Sequence, residues 1–166
     1  MTAAVLVRVS EYLDHMYHPD CDYLEGILEE RHVGELSHSV AQTALALICD
    51  IVCPASGPAS ESESRSNLSY RVPDVTIVRG GKPAGRIIVT PPEVVVEVLS
   101  PEDRIANLQE SIDDYLAFGI SCVWVINPEM RRAWVHTSDG SRQAKDGVLR
   151  NLAGDWELPL SAVFAE

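Results

Sequence analysis

The sequence predicts an α/β fold built on a mixed β-sheet, and three observations predict it. Residues 93–100 (EVVVEVLS) and 121–128 (SCVWVINP) are short, almost wholly apolar runs, which is how strands buried on both faces read. Between them a helical apolar pattern runs to Phe118 and stops at Gly119, the natural residue after a helix end. Strand, helix and strand with short joints make a right-handed βαβ unit with parallel strands. On either side, YRVPDVTIV at 70–78 and MRRAWVHT at 130–137 are further strands, the second returning antiparallel after the Asn-Pro turn.

The remaining elements follow in order. LVRVSEYLDHMY at 6–17 predicts a short amphipathic helix with Leu6, Val9, Leu13 and Met16 on one stripe. CDYLEGILEER at 21–31 predicts two short strands around a Glu-Gly turn. ELSHSVAQTALALICDIVC, from Glu35 to Cys53, has the strongest helical pattern, with Ser37 as N-cap and Pro54 closing it. ASGPASESESRSN, at 55–67, predicts a mobile polar loop, and RIIVT at 86–90 is an extra strand or part of a connection. In the βαβ unit, Ser100 is the expected N-cap, Pro101 the first helical residue and Asp103 the capping-box acid. A hairpin around Asp146-Gly147 and a short tail ending SAVF complete the chain. No repeat or composition shift divides residues 1–166, which predicts a single domain.

Composition narrows the function classes. No apolar run reaches the roughly 18 residues of a membrane span, and the N-terminus lacks the flanks of a signal peptide. Cys21, Cys49, Cys53 and Cys122 have no CxxC spacing and read as reduced thiols of a cytoplasmic protein. The net charge is −12, and Lys82 and Lys145 are the only lysines. Such a chain repels a polyanion as a whole, so any nucleic-acid chemistry has to work through a local site, an arginine cluster or a metal ion.

Glu97, in the middle of VVVEV, is the residue that asks for a function. An ionised carboxylate in a buried strand costs several kcal/mol, about 2 to 7, unless it is paired. If the strands at 74–78 and 93–99 pair antiparallel, one face collects Val75, Ile77, Val94, Val96 and Val98. The other face collects Asp74, Thr76, Glu93, Val95 and Glu97, and Asp74 comes to lie beside Glu97. Two adjoining carboxylates repel unless a cation sits between them, and a hard divalent ion, Mg2+ or Mn2+, fits that role.

Pro73-Asp74 on one strand and Glu97 on the next resemble the PD-(D/E)XK nuclease superfamily. RVPDVTIV, PPEVVVEVLSPEDR, DYLAFGI and VWVINPE, with CDYLEGILEE and ELSHS before them, resemble in order the blocks of its Uma-two family of restriction-type endonucleases, over roughly residues 10 to 165. The resemblance implies a restriction-endonuclease-like core with the mixed sheet flanked by helices. It also implies a metal held by Asp74, Glu97 and the Val98 carbonyl, with Asp22 pointing at the same site as a further catalytic acid. DNA becomes the expected substrate, and a homodimer follows from pairing one site with each strand. The family's lysine would fall at Ser111. Leu108, Ser111, Ile112 and Tyr115 share one helical stripe, so position 111 faces inward without a charge. Arg104 lies seven residues earlier, about 10 Å along the axis, and does not act as a base. The expected cleavage activity is therefore weak, altered or absent.

Other readings stand beside this one. Asp74 can cap a turn after Pro73, Glu97 can pair with Arg71, Arg104 or the backbone, and Asp22 can be solvated. His38, in the first turn of its helix, can approach the site but reads more readily as a surface residue, and Trp124 and Trp134 as core or interface. At the level of function, the alternatives are a catalytically silent nuclease-fold module that binds nucleic acid or protein, and an interaction domain with structural buried acids.

Overall fold

Alternation along two valine-rich strands sets up the centre of the molecule. In the computed structural model, which describes residues 6–31, 35–48, 59–61, 68–78, 88–101 and 103–164, these strands lie side by side in the central, five-stranded sheet. The elements in chain order are α1 (Val9–Asp14), β1 (Cys21–Leu24), β2 (Ile27–Glu30), α2 (Leu36–Ile48), β3 (Ala59–Glu61), β4 (Leu68–Tyr70), β5 (Val75–Ile77), β6 (Val94–Val98), α3 (Ile105–Phe118), β7 (Cys122–Asn127), β8 (Arg132–Thr137), β9 (Gly140–Gln143), β10 (Val148–Arg150), β11 (Glu157–Pro159) and α4 (Leu160–Val163). The central sheet runs β5-β6-β7-β8-β9. β6 and β7 are parallel and joined by α3, and the other neighbours are antiparallel. The second sheet, β2-β1-β4-β3, is wholly antiparallel, and β10 pairs with β11 apart from both.

The mixed sheet is flanked on both faces. Val75, Ile77, Val94, Val96 and Val98 point to one side, where they meet Ala41 and Leu45 of α2 and the C-terminal Leu158 and Val163. Val95, Val123 and Val125 point to the other, against Ile112 and Tyr115 of α3. Each fully buried side chain of this kind contributes about 1.5–3 kcal/mol, so the sheet can carry a polar wall at one end. Trp124 is core, its ring stacked on Trp156 at 5.1 Å between centroids and 8° between planes, and Trp134 is half-buried.

Several local expectations change. The first helix is only Val9–Asp14, and Leu6 and Met16 are exposed. Its anchor is aromatic: Tyr12 packs on Tyr23 and Tyr70, with ring centroids 5.1 and 5.8 Å away. The β1–β2 turn is as expected, with Glu25 and Gly26 both at positive φ (51° and 95°), the conformation that a two-residue hairpin of matching twist requires. α2 begins at Leu36, so Ser37 lies inside it rather than capping it. Pro54, Cys49 and Cys53 lie outside the described residues, as does most of the serine-rich loop, although Ala59–Glu61 of that loop forms β3. The stretch 70–78 is not one strand. It leaves the second sheet at Tyr70 and enters the central sheet at Val75. Within 86–90, Ile88 makes only an isolated bridge.

Ser100 and Asp103 bond only through the Ser100 backbone, Ser100 N–H to Asp103 Oδ2 at 2.6 Å and Asp103 N–H to Ser100 O at 3.2 Å, while the Ser100 hydroxyl is buried without a hydrogen bond among the described residues. They close a turn before the helix, and α3 starts after Arg104. Its end is as expected. Gly119 is left-handed (φ 100°), and Ile120 N–H reaches back to Tyr115 O at 3.1 Å. The C-terminal hairpin turns at Ser138-Asp139, between β8 and β9; Asp146-Gly147 instead leads into β10.

Candidate active site

The chain crosses from one sheet to the other through Arg71, Val72, Pro73 and Asp74, all buried, and a cleft of about 240 Å³ opens at this crossing. β5 pairs with β6 as Val75↔Val96, so the next step of the ladder sets Asp74 beside Glu97. Asp22, Asp74, Glu97, Val98 and Ser111 all line the cleft. The structure thus brings together every site residue singled out from the sequence.

It also supplies the partner that Glu97 faces. The guanidinium of Arg31, the residue after β2, places one nitrogen, Nη2, 2.9 Å from Asp74 Oδ1 and 3.4 Å from Glu97 Oε2. The remaining oxygens are fixed by the scaffold. Asp74 Oδ2 accepts the Val98 N–H at 2.7 Å and lies 3.2 Å from His38 Nε2. Glu97 Oε1 accepts the Tyr115 hydroxyl at 2.5 Å. Each acid therefore has one oxygen tied to the protein and one turned to the cation. Arg71 and Arg104, the partners expected for Glu97, do not take that place. Arg104 lines the cleft, and Arg71 Nη1 donates to Asp22 Oδ2 at 3.1 Å while its Nε donates to Asp114 Oδ2 at 2.8 Å. The other Asp22 oxygen accepts the Val72 N–H at 2.9 Å. Asp22 is thus buried and engaged through both oxygens, not solvated.

The electrostatics follow the geometry. Burial opposes charge on Asp74, but the His38 hydrogen bond, the Arg31 charge and the Val98 N–H outweigh it and hold its carboxyl below the usual range. Burial and the Asp74 charge push Glu97 well above the usual range, and Arg31 and Tyr115 offset this only in part. Burial also raises Asp22 against the pull of Val72 N–H and its arginines. The hydrogen bond to Asp74 raises His38, so this helix-start histidine is part of the acid cluster rather than a bystander. Among the described residues, no group of three or more His, Cys, Asp and Glu side chains converges as a metal site.

Arg31 and Tyr115 are the functional neighbours that sequence reasoning did not assign, and His38 is one for which it favoured the surface. Tyr115 was legible as an inward stripe residue, but its hydroxyl partner was not. Arg31 lies 43 and 66 residues from the acids it joins, and no spacing rule connects them.

A mixed sheet flanked by helices, with two acids from adjoining strands at one end, defines the restriction-endonuclease-like class of fold. The Uma2 family model, described as "Putative restriction endonuclease", matches residues 9–166, and the chain belongs to that family. A solved structure from Anabaena variabilis ATCC 29413, described as "a putative nuclease belonging to DUF820", is similar, with a TM-score of 0.73 at 16% identity over 96% of this chain and 98% of that one. At that identity the likeness concerns the fold. No curated protein matches the sequence. Among the described residues, no helix is long and apolar enough to cross a membrane.

Proposed function

We propose that the protein is a slow, divalent-metal-dependent nuclease that hydrolyses phosphodiester bonds of DNA, with Asp74 and Glu97 holding the ion. One observation carries this reading: a single cationic nitrogen of Arg31 lies within reach of both carboxylates. Two acids that share one cation are chemically suited to another. The donor set fits Mg2+ or Mn2+, which take hard oxygen ligands, and Mg2+ commonly uses only one or two carboxylates. The Val98 carbonyl is the third oxygen in this reading. When bound, such an ion lowers the pKa of a water and offsets charge on the phosphate under attack.

The chain's own residues prepare the site. Tyr115 and the Val98 N–H fix the inner oxygens, so the outer ones are aimed before any ion arrives. Asp22 acts as a positioning residue, because its oxygens hold Arg71 and the sheet-crossing backbone at Val72. Ser111, in place of the family's lysine, neither binds a phosphate by charge nor orients a water by reach, which makes the enzyme slow. Cutting both strands of a duplex calls for two such sites, so the proposal includes a homodimer.

The test is cleavage of plasmid DNA with Mg2+ or Mn2+ against a chelator control. Asp74→Asn and Glu97→Gln are expected to lose about a hundredfold or more. Cleavage that survives either substitution, or survives chelation, overturns the reading. The alternative, a silent nuclease-fold binding module, is favoured by Ser111 alone; it wins if the ion binds and no DNA is cut.

A further inference from the structure

The cleft holds a cation of its own. Arg31 Nη2 bridges Asp74 and Glu97, yet the Arg31 side chain is 25% exposed where theirs are 5% and 12%. The Arg31 side chain is thus more open to solvent than either acid it joins. The residue's backbone is anchored, Arg31 N–H donating to Asp20 O at 2.9 Å as the β1–β2 ladder ends, and its side chain lines the cleft beside Arg104, Asn107 and Ser111. The contact with Glu97 is long for a charged hydrogen bond, and one nitrogen serves both acids, so the fork of the guanidinium is not used bidentately. Ser111 lines the same cleft and brings no charge.

We infer that Arg31 is the phosphate-binding residue of this site, held in reserve between Asp74 and Glu97 and displaced toward the cleft mouth when a divalent ion takes its place. The inference rests on the proposed metal site and deepens it. A divalent ion and a guanidinium compete for the same two oxygens, and the ion, with twice the charge, wins once its concentration suffices. The displaced guanidinium presents a planar fork of donors that matches two oxygens of a phosphodiester. It supplies the fixed positive charge that Ser111 lacks. It does not accept a proton from water, because it stays protonated.

The test uses binding, not turnover. Mn2+ affinity is measured by calorimetry, without nucleic acid, for the parent chain, Arg31→Met, Arg31→Lys and Asp74→Asn. Arg31→Met removes the competitor and is expected to bind Mn2+ about tenfold more tightly. Asp74→Asn is expected to lose binding. A short single-stranded deoxyoligonucleotide with Ca2+ then probes the second half. Its affinity falls by about tenfold in Arg31→Met and falls in Arg31→Lys as well, since lysine keeps the charge but not the fork. Should Arg31→Met fail to fold, Arg31→Lys decides by the oligonucleotide measurement. Unchanged Mn2+ affinity in Arg31→Met, or unchanged oligonucleotide affinity in Arg31→Lys, overturns the inference while leaving the metal site standing if Asp74→Asn still abolishes Mn2+ binding. If no variant binds Mn2+ at all, both fall together.

Discussion

Two arginines, Arg31 and Arg71, each join acids from different parts of the chain, and they do so in different ways. Arg71 is 5% exposed and divides its donors, Nε to Asp114 on α3 and Nη1 to Asp22 on β1, with Glu29 Oε2 of β2 a further 3.9 Å from Nη1. It braces three elements and has nowhere to go. Arg31 is 25% exposed, uses one nitrogen for two acids, and lines the cleft. The first geometry is that of a strut and the second that of an exchangeable counter-ion. The difference lies in donor use and exposure, not in residue type.

Breaking the strut should cost most. Arg71→Met leaves Asp22 buried opposite Asp114 and is expected to lose about 3 kcal/mol of stability in urea unfolding, at the low end for a broken buried pair because Asp114 keeps access to water. Added Mn2+ should not restore it. Arg31→Met in chelator should lose less and recover with Mn2+. If both variants respond alike to Mn2+, the contrast between the two arginines is false.

Tyr115→Phe removes the hydroxyl that holds Glu97 Oε1 and leaves that oxygen buried without its donor, an expected loss of about 1–3 kcal/mol by the same unfolding measurement. Ser111→Lys sharpens the comparison from the other side. A lysine there adds both a second cation and a water-orienting group, so cleavage with Mg2+ should rise by about tenfold or more. A variant that binds the ion normally and stays as slow as its parent removes the missing lysine as the explanation.

A pH series gives a smaller effect. Burial and the neighbouring Asp74 raise the Glu97 carboxyl to about 8. The folded protein then holds a proton that the unfolded chain has released near 4.5, so this contribution is complete below that value and is lost as pH rises toward about 8. The melting temperature of chelated protein should fall by a few degrees across that window, and Glu97→Gln should flatten the slope. Asp74, held below its ordinary 3.8, works in the opposite sense, its contribution being lost as pH falls through its lowered value. The smallest effect is expected at the surface. Arg150→Ala breaks bonds to Asp146 and Glu157 in the open and should leave the melting temperature unchanged.

What was legible in the sequence follows from how strands encode faces. Period-two alternation in VTI and VVVEV separates two environments, so the apolar wall and the Asp74–Glu97 pairing could be read before any coordinates. The βαβ unit was legible because a valine run, a helix stripe and a glycine stop are each local signals. The place of the β1–β2 hairpin over the end of the central sheet is not local. It is set by the crossing at Arg71–Asp74 and by Asp22 gripping Val72 N–H, and it alone delivers Arg31 to the acids. Helix starts misled for a related reason: Asp103 accepts the Ser100 N–H in a turn before the helix begins, and the buried Ser100 hydroxyl caps nothing among the described residues.

The stacked indoles of Trp124 and Trp156 belong to the wall opposite the one that α3 covers. Aromatic rings held rigidly in a packed interior give a near-ultraviolet circular dichroism that is lost when the packing is lost. That optical signature reports whether the apolar interior is intact without passing through the carboxylates, so loading of the cleft by an ion and loss of the native state become two separately readable events in one cuvette.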